Sequence, residues 1–456
     1  MTPSATSALV AATRFGFIPR PGELERIAPD PRGWALNQLR QPPRPLAGDL
    51  PASAAVLALT METLRLKKAP EDRKEFQAQV RAIYLAEIAA RVAAAATSDT
   101  PLLERLTHFW GNHFTVSGFR PIVHGAAGAF EREAIRPHVT GRFVDMLLAA
   151  ERHPAMLLYL DNALSIGPDS MVGQRLNKGI NENLGREILE LHTLGVDGGY
   201  TQQDVEALAR ILTGWSIMRP NEGRMAGFRP GIDMAAQPGG FLFRERAHEP
   251  GMKMLLGRRY PEGGVEEGVA ALRDLAAHPA TARHIAAKLA RHFIADQPPQ
   301  DAIQRIAQVF SSSGGDLAKV TAAVIHEESV WQKPFAKLRT PGDLVISACR
   351  VTGFLPPAPL LANSMRMLDQ PAFLAPQPSG WPDDAASWAS PEAVLRRAEW
   401  CETFADRIPD PPEPMALAAS ALGEALPEES LQAIRTAPSQ RTALALLLAS
   451  PEFQKR

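Results

Sequence analysis

Residues 75–96 read EFQAQVRAIYLAEIAARVAAAA, a stretch of strong helix formers without a Gly or Pro. Such residues lose little side-chain freedom in a helix, and nothing in the run interrupts it. Whatever this chain folds into must house one long helix. Period-two alternation, the mark of a half-buried strand, is scarce, and Phe241-Leu242-Phe243 is the only short candidate. The expected class is therefore all-α: a large multi-helix body with long Pro/Gly-rich loops and at most a short β-hairpin.

Further helices follow from their start signals. Thr100-Pro101 supplies a cap and a first-position proline for a helix through Phe109. Thr201 to Asp204 resembles a capping box, after which Val205, Leu208, Leu212 and Trp215 recur on one face. Thr281 opens a helix with Ile285, Leu289 and Phe293 as its apolar stripe, and two more are split by Ser311-Ser312-Ser313-Gly314-Gly315. The last helix is expected at 442–448. Three Pro/Gly-rich breaks intervene: 18–51, whose eight prolines suggest an extended surface arm, then 219–258 and 355–390. These breaks divide the chain into an N-terminal arm with the first helices (1–60), a helical core (61–350) with an irregular insertion at 219–258, and a C-terminal helical segment (351–456).

Composition excludes several classes. With 456 residues, 49 basic against 50 acidic, the net charge of -1 argues against a nucleic-acid footprint over the whole surface. Cys349 and Cys401 are the only cysteines, too few for a disulfide scaffold or a cysteine-rich zinc module. No apolar run is long enough to span a membrane. Residues 1–13 carry no Lys or Arg, and 8–12 is too short for a signal core, so the expectation is cytoplasmic. P-loop, dinucleotide-binding Gly-x-Gly-x-x-Gly, nucleophile-elbow and His-Glu-x-x-His motifs are all missing.

The densest chemistry lies in 181–200, NENLGREILELHTLGVDGGY. On a regular helix Leu184, Ile188 and Leu191 form an apolar stripe, leaving Asn183, Arg186, Glu187 and Glu190 on the other side and His192 near the end. Glu-x-x-Glu is not the Glu-x-x-His spacing of a di-metal bundle. The plain alternative is a solvated face of pairs such as Glu182 with Arg186. His113, amid Phe109, Trp110 and Phe114, reads as either a packed core histidine or a site residue. Asp161-Asn162 caps a helix or delivers a carboxylate to the Glu187/Glu190 helix. His248 and Lys253, inside the long insertion, suit a substrate loop or an idle surface loop. The basic face Arg283, His284, Lys288, Arg291 and His292 could meet an anion, though such faces are usually solvated.

The ordered series Tyr159-Leu160-Asp161-Asn162, Asn181 to Glu187, Glu190 to Val196, Gly199 to Gln202 and Leu212-Thr213-Gly214-Trp215 resembles the bacterial domain of unknown function 1800 family. Phe109-Trp110, Asn112-His113-Phe114, the His248/Lys253 loop and Gly380-Trp381-Pro382 support it, and the likeness runs from about residue 14 to the end. The resemblance implies a large helical protein without an established activity, often encoded beside a sulfatase- or alkaline-phosphatase-like partner of the domain of unknown function 1501 family. Many members are exported, so export with such a partner is the alternative to a cytoplasmic location. Family members often carry histidine after Trp110; here it is Gly111, which weakens a metal site at that segment.

Two functional readings result. In the first, a polar pocket for a metal or a small anionic or sugar-like ligand gathers Glu187, Glu190, His192, Asp161 and His113 as acid–base residues. Asn162, Asn181, Asn183, Arg186, His248, Lys253 and Trp381 bind substrate in that reading, and a divalent metal is the candidate cofactor. In the second, the chain is a non-catalytic accessory of the sulfatase-like protein and the same residues form a sealed structural network. A solvent-reachable cluster favours the first, a fully paired one the second.

Overall fold

The computed structural model describes residues 3–65, 70–220, 222 and 237–456. Helices dominate it. Among the described residues the strands form two short antiparallel pairs, Trp215–Ile217 with Phe241–Phe243 and Lys253–Leu255 with Arg258–Tyr260. The chain is all-α in class, as its composition implies, and no helix among the described residues is long and apolar enough to cross a membrane. Residues 221 and 223–236 of the long insertion lie outside the described residues.

The long helix spans Pro70–Thr97, and Thr100 precedes the Pro101–His113 helix. At Thr201 the capping box is complete: Asp204 N donates to Thr201 Oγ1 and Thr201 N to Asp204 Oδ2. That helix, Gln202–Ile211, ends sooner than the apolar spacing suggests. Gly214, at φ +83°, turns the chain, and Trp215 is buried from a strand instead of the helix. The basic-faced helix starts at Pro279, capped by His278 Nδ1, and ends at Phe293. Residues 18–51 are less extended than their prolines suggest. Pro31 occupies a first helical position after the Asp30 cap, and short helices cover Glu23–Ile27 and Pro31–Gln38. At the other end, Gln440–Ala449 is followed by a further short helix, Pro451–Gln454.

Two large apolar cores result. The first gathers Trp110, Phe143, Leu184, Ile188, Leu208 and Leu289. In the second, Tyr84, Ile88 and Val92 of the long helix pack with Leu344, Cys349, Trp400, Cys401 and Leu444. Both cysteines are buried free thiols there. Between the cores runs a polar seam. Buried Arg350 pairs with Glu23 at 3.0 and 2.9 Å and donates to the carbonyls of Ile18, Ala96 and Ser98, tying the N-terminal segment to the second core. Arg14, Arg105, Arg339 and Arg456 are buried in the same region, with Asp343 among them.

Candidate functional site

A cavity of about 540 Å³ lies in this seam. Its lining draws on both cores: Phe109 and Phe130 from the first, Ile346 and Met365 from the second. Two helices supply all of its histidines and its lysine. Pro101–His113 contributes Arg105, His108, Asn112 and His113, and Pro279–Phe293 contributes His284, Lys288, Arg291 and His292. His284, Lys288 and His292 recur every fourth residue, so they share one face of their helix. Ile285, Leu289 and Phe293 sit about 100° further round and fill the first core. One amphipathic helix therefore anchors itself and presents a basic row to the cavity.

The opposite wall is the segment after Gly380. Asn112 holds Trp381 at both ends: Trp381 N donates to Asn112 Oδ1 at 2.7 Å, and Asn112 Nδ2 donates to Trp381 O at 2.8 Å. A Cβ at residue 380 would stand 2.4 Å from the Asn112 carbonyl oxygen, and φ there is +80°, so the approach requires glycine. Beyond Trp381, Asp383 Oδ2 lies 2.7 Å from His292 Nδ1, and Lys337 Nζ donates to the Asp383 carbonyl at 2.6 Å.

Every carboxylate on the lining already has donors. Glu131 accepts from Arg91 Nε, Asp343 from Arg105 Nη1 at 2.9 Å, and Asp384 from Ser387. Asp383 has His292, with Lys337 and Arg456 at 3.5 and 3.6 Å. Among the described residues Lys288 and Arg291 form no ion pair. Four buried polar atoms of the lining residues also lack a hydrogen-bond partner: Arg105 Nη2, His108 Nε2, His113 Nδ1 and His292 Nε2. Unpaired buried polar atoms are uncommon in folded proteins.

Burial sets the protonation states. It lowers His284 and His292 to about 4 and pushes His108 and His113 well below the usual imidazole value, so all four are neutral near pH 7. Lys288 falls to about 8, mainly by burial and against the pull of Asp383. Burial alone would raise Asp343, but Arg105 and Arg456 outweigh it and bring that carboxyl to about 2. Asp383 is held low in the same way, by His292, Lys337 and Arg456.

The residues singled out in 181–200 lie on a helix of a different kind. Asn183–Glu187 is α-helical, but Ile188–His192 continues as a wide π turn, with Thr193 Oγ1 bonded to the Ile188 carbonyl five residues back. The wider turn departs from the regular spacing, and His192 is fully buried, its Nδ1 2.8 Å from Glu151 Oε1. His113 Nε2 lies 3.2 Å from the His192 carbonyl oxygen, and His284 Nε2 lies 3.0 Å from that of Leu191. Glu187 and Glu190 are half-buried. Burial first, then the charges of Glu190 and Glu151, raise the Glu187 carboxyl against the opposing pull of His192 and Arg186. His192, Glu187 and Glu190 thus share a neighbourhood, which meets His113 on the cavity wall through the His192 carbonyl. Asp161 instead accepts two bonds from Arg120, each 2.7 Å, beside a second cavity of about 250 Å³ that Tyr159 and Asn183 also line.

The remaining residues divide between the main cavity and local structure. Trp381 and His113 line the cavity, as do four of the five basic-face residues; exposed Arg283 does not. Asn162 is buried and donates to the carbonyls of Leu212 and Trp215, and Asn181 Oδ1 accepts from Asn183 N. Arg186 pairs with Glu182 at 2.8 Å. His248 and Lys253 both meet buried Glu267, at 3.0 and 3.1 Å, beneath the surface. Glu151, Arg105 and Asp343 were not singled out from the sequence. Arg105 and Asp343 are 238 residues apart, and no local pattern marks them. Among the described residues no group of three or more His, Cys, Asp or Glu side chains is placed to hold a metal ion.

A family model matches residues 10–455, essentially the whole chain. The chain belongs to the DUF1800 family. That family is described as proteins of unknown function, so membership brings no activity with it. No curated protein and no solved structure matches the chain. In this DUF1800 protein two stretches that carry the resemblance, 109–114 and 380–382, meet through the Asn112–Trp381 bonds at the cavity.

Proposed function

We propose that this protein binds a small organic anion in the seam cavity. Lys288 and Arg291 supply the counter-charge, while neutral His284 and His292 each already give one ring nitrogen to a protein oxygen. One observation carries the reading: each lining carboxylate has its own donors, while half-buried Lys288 and exposed Arg291 form no ion pair among the described residues. The volume suits a metabolite-sized ligand. In this reading the His192 carbonyl holds His113 in place on the cavity wall.

Thermal unfolding with inorganic phosphate, pyrophosphate or citrate, against sodium chloride at matched ionic strength, tests the proposal. A ligand at a hundred times its Kd stabilises by about 2.7 kcal/mol. At least one anion should raise Tm saturably, and Arg291→Gln should weaken that response about tenfold or more. Responses indistinguishable from chloride for all three would overturn the reading.

A further inference from the structure

Among the described lysines Lys253 and Lys337 are buried, Lys288 is half-buried and the others are exposed. Two are fully engaged. Lys253 Nζ meets the Glu249 carbonyl at 2.5 Å and Glu267 at 3.1 Å; Lys337 Nζ meets Asp296 and the Asp383 carbonyl, each at 2.6 Å. Lys288 stands on the cavity wall without an ion pair or hydrogen bond among the described residues. A half-buried ammonium without an ion pair is disfavoured, so the fold raises the share of neutral amine there. With the value lowered to about 8, about a tenth of these side chains carry a free amine at pH 7, against fewer than roughly one in a thousand for an ordinary lysine.

The surroundings suit carbonyl chemistry. His284 and His292 flank Lys288 one turn away on either side, and His292 Nδ1 is held by Asp383, which leaves Nε2 unpartnered. Arg291 stands beside this row as a fixed positive charge on the same cavity.

We infer that Lys288 is a nucleophilic amine that captures the carbonyl carbon of an anionic aldehyde or oxo acid as an imine. The inference rests on the anion-binding reading of the cavity and names the class of ligand. The amine nitrogen forms a bond to the carbonyl carbon, and the π pair moves to oxygen, which takes up a proton. The nitrogen then gives up its proton, the hydroxyl leaves with a proton as water, and the C=N bond closes. Amine and carbonyl give imine and one water, with no change of oxidation state. Nε2 of His292, one turn along the same helix and without a hydrogen-bond partner among the described residues, is the base this step would use.

The test uses pyridoxal 5′-phosphate, an anionic aldehyde, as the probe, with borohydride supplying the hydride that fixes any imine, followed by peptide mapping. Lys288 should be the principal adduct. It should form at least tenfold faster than with unphosphorylated pyridoxal, and pyrophosphate should block it. Lys288→Arg removes the nucleophile, so it should lose the adduct. Adducts confined to lysines other than Lys288, in a chain that pyrophosphate still stabilises, would overturn the imine and leave the anion site standing. A Lys288 adduct indifferent to pyrophosphate, in a chain that no anion stabilises, would overturn the proposal through the reading beneath it.

Discussion

His292 Nδ1 lies 2.7 Å from Asp383 Oδ2, joining the basic helix of the first core to the Trp381–Asp384 segment that closes the cavity. The carboxylate also offsets Lys337 and Arg456, so its main task is charge compensation in a crowded cationic seam. Removing one member of a buried charge cluster strands the others, at about 3–5 kcal/mol. Asp383→Asn should therefore destabilise the chain by about that much in urea denaturation, and His292→Gln by less than half of it. Equal losses would contradict this division of labour.

Acid should find the same seam. Asp343 has a folded value of about 2 against an ordinary 3.8, so its stabilisation is fully present above the unfolded value and is lost as pH falls through the folded one. The loss amounts to roughly 2 kcal/mol. Stability should fall between about pH 4 and pH 2, more steeply in wild type than in Asp343→Asn. Equal slopes would count against the Arg105 and Arg456 pairing.

Gly380→Ala tests the grip of Asn112 on Trp381. The new Cβ would meet the Asn112 carbonyl oxygen, a backbone atom that cannot swing aside, and φ is +80°. Strain of this kind costs about 1–3 kcal/mol, while replacing glycine gains less than about 1 kcal/mol from the unfolded state. The net effect is destabilisation, together with loss of the anion response because the wall shifts. A neutral or stabilising change would show that the wall tolerates a side chain.

Glu187 works in the opposite sense to Asp343. Its folded pKa is raised, so the folded state binds the proton more tightly, and ionisation costs stability above the unfolded value. Glu187→Gln should match wild type in acid and equal or exceed it near neutral pH. A variant that loses stability as pH rises, relative to wild type, would refute the burial argument.

Helix existence was legible because 75–96 and the Thr201 capping box act locally, through propensity and cap geometry. Boundaries were less so. Trp215 continues the helical spacing, yet Gly214 turns the chain and a strand from 241–243 claims it. The seam was legible only as a fragment, the basic face of 283–292, whose alternative was a solvated surface. What made it a cavity wall was the arrival of 380–384 and Pro341–Thr352 from far along the chain, and no local pattern encodes that packing. The carboxylate helix was misread in its last turn because a π turn leaves no signature in residue spacing at 100° per residue.

Crystals grown with whichever of phosphate, pyrophosphate or citrate stabilises the chain most test the central claim directly. The account predicts ligand density in the seam, in contact with Lys288 and Arg291 and bounded by Trp381. Density beside Arg120 and Asp161 in the second cavity, with none between Lys288 and Trp381, would contradict it.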